Sequence, residues 1–573
     1  MRFRKVLLIA LTILVTCASV VSAETEPIHR GMALGEIMRA LDLPLKTGKT
    51  FDDVDNLTPY HAEMESALSL GIIYPTDEFS PEIPCANAEA LMFALQAMGF
   101  RHEAEIAVWA LPNPDKKLPT HIEGYVALAK TLKPAPPKRV CEKPWGSLSL
   151  EDLEDIVNWL HMCRESVVWD YDVKRPEGTL HLHRENVGRP PEGWRVQLGI
   201  FESEENARRM AAKYNTDACP VLVIERDYNY AVATPKFSDR IRAYKAAQRL
   251  GKHAAVIRPE AGTSSALFWV SFMPSNTADA VIRMNHAISP KALGKLSKMA
   301  EANNAIVAMN GGYFYSAGAI GTVFAYGMPA SLPYHNRSMV AWSKNGEIYF
   351  GGGEFRTRLS VNGGAPFTIS INKNADFGDT AVLTPAFGLS ANRAGNNGLV
   401  ARVHDGMVVE AVKALTFKRD MRPDEWLIVT RDPDLTLEVG DRVALVTQWR
   451  EDVPFEPQAA VQAGPLIYAP GRTMVSESLS PGILMMRHPR TLVGSDGKKL
   501  TWIVVDGRSA WHSRGLTLAE AAALGRRLKL KYLLNLDGGG SSEMWWDGHV
   551  VNEVSDGRER SMPYGLMVLR HDD

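Results

Sequence analysis

Residues 532–542 read Tyr-Leu-Leu-Asn-Leu-Asp-Gly-Gly-Gly-Ser-Ser. The apolar run Tyr532 to Leu534 has the composition of a buried strand, and the residues after it end that strand abruptly. A carboxylate, Asp537, stands at the strand end. Gly538, Gly539 and Gly540 free the backbone for positive φ and for close approach of a ligand. Successive exposed N–H groups of this kind form anion-binding nests, and Ser541 adds a hydroxyl. A strand-end carboxylate beside a nest suits a ligand that is both sugar and phosphate. A tight turn capped by Asp537 is the plainer reading of the same residues.

The pattern recurs further out. Val504-Val505-Asp506-Gly507-Arg508 is a second apolar strand ending in a carboxylate, with glycine and arginine after it. Ala308-Met309-Asn310-Gly311-Gly312-Tyr313-Phe314 is a third strand end. Between them lie Gln462-Ala463-Gly464-Pro465 and Arg487-His488-Pro489-Arg490-Thr491. Asp506 and Asp537 are expected at one mouth. One acts as nucleophile or base, and the other orients it or holds sugar hydroxyls; Asp537 is the favoured chemical group. The guanidinium forks of Arg490 and Arg508 match phosphate oxygens. Asn310, Gly311 and Asn535 are expected to contact substrate. The amides of Gly538 to Gly540 and the Ser541 hydroxyl are expected to hold phosphate. His488 reads either as a general acid or as a loop former. Asp556, Glu559 and Arg560 are expected to tie down the C-terminal segment. Thr517 is placed to cap a helix that carries Glu520. No His or carboxylate cluster has metal-ligand spacing along the chain. No metal or other cofactor is therefore expected, with Asp506, Asp537 and Asp556 the one set that leaves Ca²⁺ open.

A chain of 573 residues has room for three to four domains of about 150 residues. Its formal net charge of -2 offers no electrostatic case for nucleic acid. Arg2, Arg4 and Lys5, the short apolar run Val6 to Val15 and the small residues Val21-Ser22-Ala23 have the order of an export signal cleaved before Glu24. A lipidated Cys17 and a retained N-terminal anchor are the alternatives. No stable membrane span is expected after cleavage, since no other stretch is long and apolar enough. Beyond Ala23 the cysteines are Cys85, Cys141, Cys163 and Cys219. An even number in an exported chain permits disulfides, with Cys141 and Cys163 the expected pair. None lies in the C-terminal half, so chemistry there cannot use a thiol.

The expected architecture is α+β and multidomain: a helical module over 24–130, a linker with a short helix over 131–190, a small α+β domain over 191–260, and a large α+β mixed-sheet domain over 265–573. Lys133-Pro134-Ala135-Pro136-Pro137 reads as a stiff linker. Ser149 and Asp152 open an amphipathic helix with Leu153, Ile156 and Leu160 on one face. Trp194-Arg195-Val196-Gln197-Leu198-Gly199-Ile200-Phe201 is a strand leading into the helix Glu204 to Tyr214. A second strand and helix, Tyr230 to Leu250, weakly repeat it. Helices are expected at Pro290 to Asn303 and at Thr517 to Leu528.

These motifs carry three resemblances. Phe51-Asp52-Asp53-Val54, Gly71-Ile72-Ile73 and Phe79-Ser80-Pro81 resemble a single S-layer homology module, with Ala86-Asn87-Ala88-Glu89 departing from its usual polar signature. Val196-Gln197-Leu198-Gly199-Ile200-Phe201 and its repeat resemble the SPOR domain, which implies a small α+β fold binding peptidoglycan glycan strands. Taken in order, Asn310-Gly311-Gly312-Tyr313-Phe314, Gly464-Pro465, His488-Pro489-Arg490-Thr491, Asp506-Gly507-Arg508, Asn535 to Ser542, Val551-Asn552 and Ser555 to Arg560 resemble the phosphodiester glycosidase family over residues 265–571. Tyr313, Glu543 and Val554 depart from that family's commoner residues. This resemblance implies hydrolysis of a sugar-1-phosphodiester in an envelope or extracellular glycopolymer, with N-terminal modules holding the enzyme at the wall. A non-catalytic peptidoglycan scaffold and a P–O-cleaving phosphodiesterase are the alternatives.

Overall fold

The computed structural model describes residues 27–570 except 44, 47, 49, 112–117, 188–193, 227–228, 239, 252–255, 260–265, 286–292, 316–317, 373–377, 388–396, 423, 474–476, 478, 480 and 510–511. The expected export signal lies outside the described residues. So does the start of the helix expected from Pro290.

The chain opens with helices α1 (Arg30–Ala40), α2 (His61–Ser69), α3 (Asn87–Ala97), α4 (Arg101–Ala110), α5 (Thr120–Ala129), α6 (Lys138–Glu142) and α7 (Leu150–Glu165). Helix α7 begins where the sequence places it. The Ser149 hydroxyl accepts from the Asp152 amide at 3.1 Å, and the Asp152 carboxylate reaches back to the Ser149 amide, which satisfies two end groups of the helix. Its apolar residues Leu153, Ile156, Trp159 and Leu160 are buried.

Of residues 131–190, expected as a linker, the described residues 131–187 are instead built into the core. Lys133 pairs through its backbone with Val168, and the Trp159 indole donates to the Pro134 carbonyl at 3.0 Å. Strands β1 (Ser166–Arg175) and β2 (Gly178–Val187) then form a long hairpin. Alternate residues Val167 and Trp169, with Leu180 and Leu182, point into the same core as the helices. The proline-rich stretch lies flat because the indole and the strand backbone both have partners along it.

A second unit interrupts this sheet. Strand β3 (Trp194–Phe201), helix α8 (Glu204–Tyr214), strands β4 (Leu222–Arg226) and β5 (Asn229–Ala233), helix α9 (Arg240–Leu250) and strand β6 (Val256–Pro259) make an antiparallel sheet in the order β4-β5-β3-β6. Its own core holds Trp194, Val196, Val232, Ala243 and Ala247. The two strand–helix halves match the weak repeat in the sequence. It touches the helical module where the Tyr244 hydroxyl donates to Glu65.

On leaving this unit the chain returns to the first sheet. Strand β7 (Leu267–Pro274) pairs directly with β2, so the unit from β3 to β6 is inserted between neighbouring strands. Strands β8 (Ala280–Met284) and β9 (Ala305–Asn310) flank helix α10 (Leu296–Ala302). Residues 323–462 build further sheets with their own cores. The chain ends with β10 (Leu466–Ala469), β11 (Arg472–Thr473), β12 (Arg490–Ser495), β13 (Leu500–Val505), α11 (Leu518–Arg527), β14 (Tyr532–Asn535), β15 (Met544–Trp546), β16 (His549–Val550) and β17 (Tyr564–Leu569).

Two sheets position the site. One is eight-stranded and antiparallel, ordered β1-β2-β7-β13-β12-β14-β10-β11; the other is five-stranded, ordered β16-β15-β9-β17-β8. The only parallel pairing among the described strands joins 370–371 to 381–382. A single buried cluster runs from Ile28 in the helical module to Val568 in β17. Each large side chain buried in it, such as Phe100 or Phe268, contributes about 1.5–3 kcal/mol. All four described cysteines are free. The expected Cys141–Cys163 bridge is not formed: Cys163 is buried in the α7 core contact, and Cys141 sits on α6 at its edge. No helix of the described residues is long and apolar enough to cross a membrane.

Candidate active site

Strand β12 runs antiparallel between β13 and β14. The C-terminal ends of β13 and β14 therefore lie at one edge, together with the first residue of β12. Asp506 comes directly after β13, Arg490 opens β12, and Asp537 stands just beyond the end of β14. Register fixes the neighbours: Leu492 faces Asn535, and the Leu536 amide donates to the Thr491 carbonyl at 2.8 Å. Asn310 at the end of β9 brings the second sheet to this edge. Its Oδ1 accepts from the Thr491 hydroxyl at 2.7 Å and from the Glu543 amide at 3.1 Å, while its Nδ2 donates to the Asp537 carbonyl at 2.8 Å. Asn310 is buried and fully engaged, so it ties the two sheets together beneath the mouth.

Asp537 itself lies at the mouth in a largely dehydrated setting. Burial pushes its carboxyl up to about 6, against the opposing pull of the Ser541 hydroxyl, the Arg560 guanidinium and the Gly538 amide. The Ser541 hydroxyl in turn accepts from Arg560 at 3.2 Å. Such a carboxylate is available as a base or nucleophile near neutrality and as an acid just below it.

Cationic groups stand on the segments against which the Asp537 loop packs. Arg490 is buried, and its guanidinium donates to three backbone carbonyls, those of Leu516, Ile483 and Met486, each at 2.8 Å. No carboxylate lies within ion-pairing distance of it among the described residues. Burial lowers it to about 10, which leaves it cationic at neutral pH. His488 is pushed down by burial and by Arg490 and Arg508 nearby. Arg508 sits on the rim with φ +65°, a left-handed conformation that is uncommon outside glycine. It reaches Asp556 at 3.6 Å, and Asp556 pairs with Arg560 at 2.6 Å. A buried guanidinium lacking an acidic partner is a costly arrangement unless an anion completes it.

The glycines do a different job from the one expected. The Gly539 amide donates to the Pro489 carbonyl at 2.9 Å, the Ser541 amide to Gly538 at 3.3 Å, and the Gly538 amide bonds the Asp537 carboxylate. The Gly538 and Gly539 amides are thus engaged with Asp537 and Pro489 rather than open to phosphate. Gly539 has φ +64°, and a Cβ there would lie 2.9 Å from an Arg508 nitrogen. The triplet thus allows the loop to pack against His488-Pro489-Arg490 and under Arg508. Gly311 lies flat against the Tyr564 ring for the same reason.

Asp506 is placed beside the mouth but is not free for chemistry. Its Oδ1 accepts from Asn552 at 2.8 Å; its Oδ2 accepts from the Glu553 amide at 2.7 Å and lies 2.7 Å from His512 Nε2. The opposite nitrogen of His512 lies 3.2 Å from Glu103 on α4, and Glu103 lies 3.8 Å from Arg184 on β2. Burial alone would lower His512, yet Glu103 and Asp506 push it up to about 10. Burial would raise Glu103, yet His512 and Arg184 hold it below the usual carboxylate range. A buried chain of alternating charge therefore runs from the helical module to the strand end beside Asp537. Neither His512 nor Glu103 is among the residues expected from sequence. His512 stands in an irregular loop, and Glu103 is separated from it by about 400 residues, so neither carries a local signal.

Three further residues, Tyr313, Arg337 and Asn535, meet at this edge. The Tyr313 hydroxyl donates to the Gly464 carbonyl at 3.0 Å and accepts from Asn535 Nδ2 at 3.1 Å. The Arg337 guanidinium lies 5.1 Å from the centre of the Tyr313 ring. Asn535 Oδ1 is buried without a hydrogen-bond partner.

A raised carboxylate, with Arg490, Arg508 and His488 on the segments its loop packs against, offers a site for an anionic ligand. Residues 393–569 match the phosphodiester glycosidase family and residues 190–261 match the SPOR domain; the chain carries both domains. Over 92 residues it is 39% identical to the SPbeta prophage-derived uncharacterized protein YomE of Bacillus subtilis strain 168, a stretch that is 16% of this chain and 14% of that protein. Among solved structures, a Burkholderia pseudomallei K96243 protein described as exported is 16% identical with TM-score 0.46, over 71% of this chain and 96% of its own. The zebrafish N-acetylglucosamine-1-phosphodiester alpha-N-acetylglucosaminidase catalytic domain, auto-inhibited by its pro-peptide, is 12% identical with TM-score 0.34, over 66% of this chain and 89% of its own.

Proposed function

We propose that the C-terminal domain hydrolyses glycosyl phosphodiesters of cell-envelope or extracellular glycopolymers, freeing the sugar and leaving a phosphomonoester. The observation that carries this reading is Asp537, raised to about 6 by burial, beside a buried Arg490 held only by carbonyls among its described partners. The phosphate sits against Arg490, Arg508 and His488. Asp537 faces the anomeric carbon. The bond between that carbon and the bridging oxygen breaks, its electron pair goes to the phosphate, and oxygen from water ends on the sugar. A phosphomonoester has a second pKa of about 6, so the departing oxygen needs charge neutralisation more than protonation. Asp506 orients the strand end and does not react.

The SPOR domain holds the enzyme on peptidoglycan, and the chain is exported to the envelope. Hydrolysis of a sugar-1-phosphodiester panel in ¹⁸O-labelled water tests the chemistry. Label in the free sugar is the expected result. Label in phosphate would mean P–O cleavage instead, and equal background turnover by wild type and Asp537→Ala would leave a non-catalytic scaffold.

A further inference from the structure

We propose that the β1–β2 hairpin carries a binding site for a divalent transition-metal ion of the zinc class, formed by His181, His183 and Asp170. His181 and His183 are two residues apart on β2 and so share one face. Asp170 stands directly across from His183, and Asp172 across from His181. One oxygen of Asp170 lies 2.9 Å from His181 Nε2 and 3.1 Å from His183 Nδ1. The potential ligand atoms of the three residues all lie within 4.8 Å of one another.

The far nitrogen of each ring is already held. His181 Nδ1 lies 2.6 Å from Asp172, and His183 Nε2 lies 3.1 Å from Glu185. Glu185 is fixed in turn by Arg527 at 3.0 Å. A neutral imidazole has one N–H and one lone pair. With each N–H given to its outer carboxylate, both lone pairs aim at the anionic oxygen of Asp170, and three acceptors confront one another. A cation between them removes the conflict. A carboxylate on the remote N–H is also the arrangement that orients metal-ligating histidines. Both rings rest against the Trp269 indole, with centroids 4.9 Å away, which fixes their planes. Three protein ligands leave the fourth tetrahedral position open, and Asp170 is exposed. Imidazole and carboxylate together suit zinc over calcium or magnesium. Along the chain only the His181 and His183 pair is close; Asp170 is brought in from the neighbouring strand.

The site is separate from the proposed hydrolytic centre and does not depend on it. Titration of the chelator-treated full chain with Zn²⁺ by calorimetry tests it, together with Co²⁺ absorption as a report on coordination geometry. The expected result is one equivalent bound, a tetrahedral Co²⁺ spectrum, and at least tenfold weaker binding in both His183→Ala and Asp170→Asn. The exposed Asp170→Asn change keeps the test decisive should His183→Ala fold poorly. No saturable binding by wild type would overturn the site and leave two imidazolium ions as the answer to the conflict. Unaltered binding in the variants would overturn it equally.

Discussion

With its carboxyl near 6, Asp537 is mostly ionised at neutral pH and protonated in mild acid. If the ionised form acts at the sugar, kcat/KM climbs as pH rises through about 6 and levels off above it. Asp537→Asn removes that limb and lowers kcat by about 10²–10⁴-fold; initial rates over pH 4.5–8 measure both. Arg490→Lys keeps the charge but loses the fork geometry. It is expected to lower kcat/KM by about 10²-fold, with the deficit growing for substrates whose phosphate carries more charge. Gly539→Ala places a Cβ on a left-handed residue against Arg508. It is expected to cost about 1–2 kcal/mol in urea unfolding and to shift Arg508. At this scale the chain was legible where chemistry is local: strand, carboxylate and glycines stand together in 532–542. The use of the glycine amides was not legible, because their acceptors are a carbonyl about 50 residues away and the loop itself.

Elements carry the next prediction. Helix α4 delivers Glu103 to His512, and β2 delivers Arg184. Glu103→Gln leaves buried positive charge without its partner and is expected to cost about 3–5 kcal/mol. The shifts set the pH dependence. His512, raised to about 10, contributes stability that is full below its unfolded value of about 6.5 and is lost as pH rises through about 10. Glu543, pushed up by burial and Glu559 to about 9, contributes fully only below its unfolded value of about 4.3 and loses that contribution as pH rises through about 9, so its decline overlaps that of His512 above pH 7. Glu103, held low, acts oppositely and weakens the fold only in acid. Urea unfolding is therefore expected to show stability falling from pH 7 to 10, with a shallower fall in Glu103→Gln, since its His512 starts lower. Capped helices such as α7 and α11 could be placed from sequence, because Ser149, Asp152, Thr517 and Glu520 act within one turn. The hairpin at 166–187 could not, since its alternation only has meaning against the core it faces.

For the molecule as a whole, the SPOR domain sits as an insertion between paired strands, while the helical module shares its core with the two sheets that carry the candidate site. Replacing residues 190–261 by a short flexible linker is expected to keep turnover on soluble substrate and to abolish retention on isolated sacculi. Removing residues 27–187 strips β1, β2 and the helices from the common core. It is expected to yield a chain without cooperative thermal unfolding. Loss of turnover together with folding in the first deletion would show that the insertion supports the site.

By itself the sequence determined the α+β class, the SPOR and phosphodiester glycosidase segments, and the strand ends that carry Asp506, Asp537 and Arg490, because each is written in contiguous residues. Tertiary structure alone decided the rest. It engaged Asp506 with His512 and Asn552 and raised the carboxyl of Asp537 by burial. It also made the helical module part of the core beneath the candidate site and brought the two histidines of β2 against Asp170. Burial, desolvation and cross-strand contact belong to the folded chain, and no spacing along the sequence encodes them.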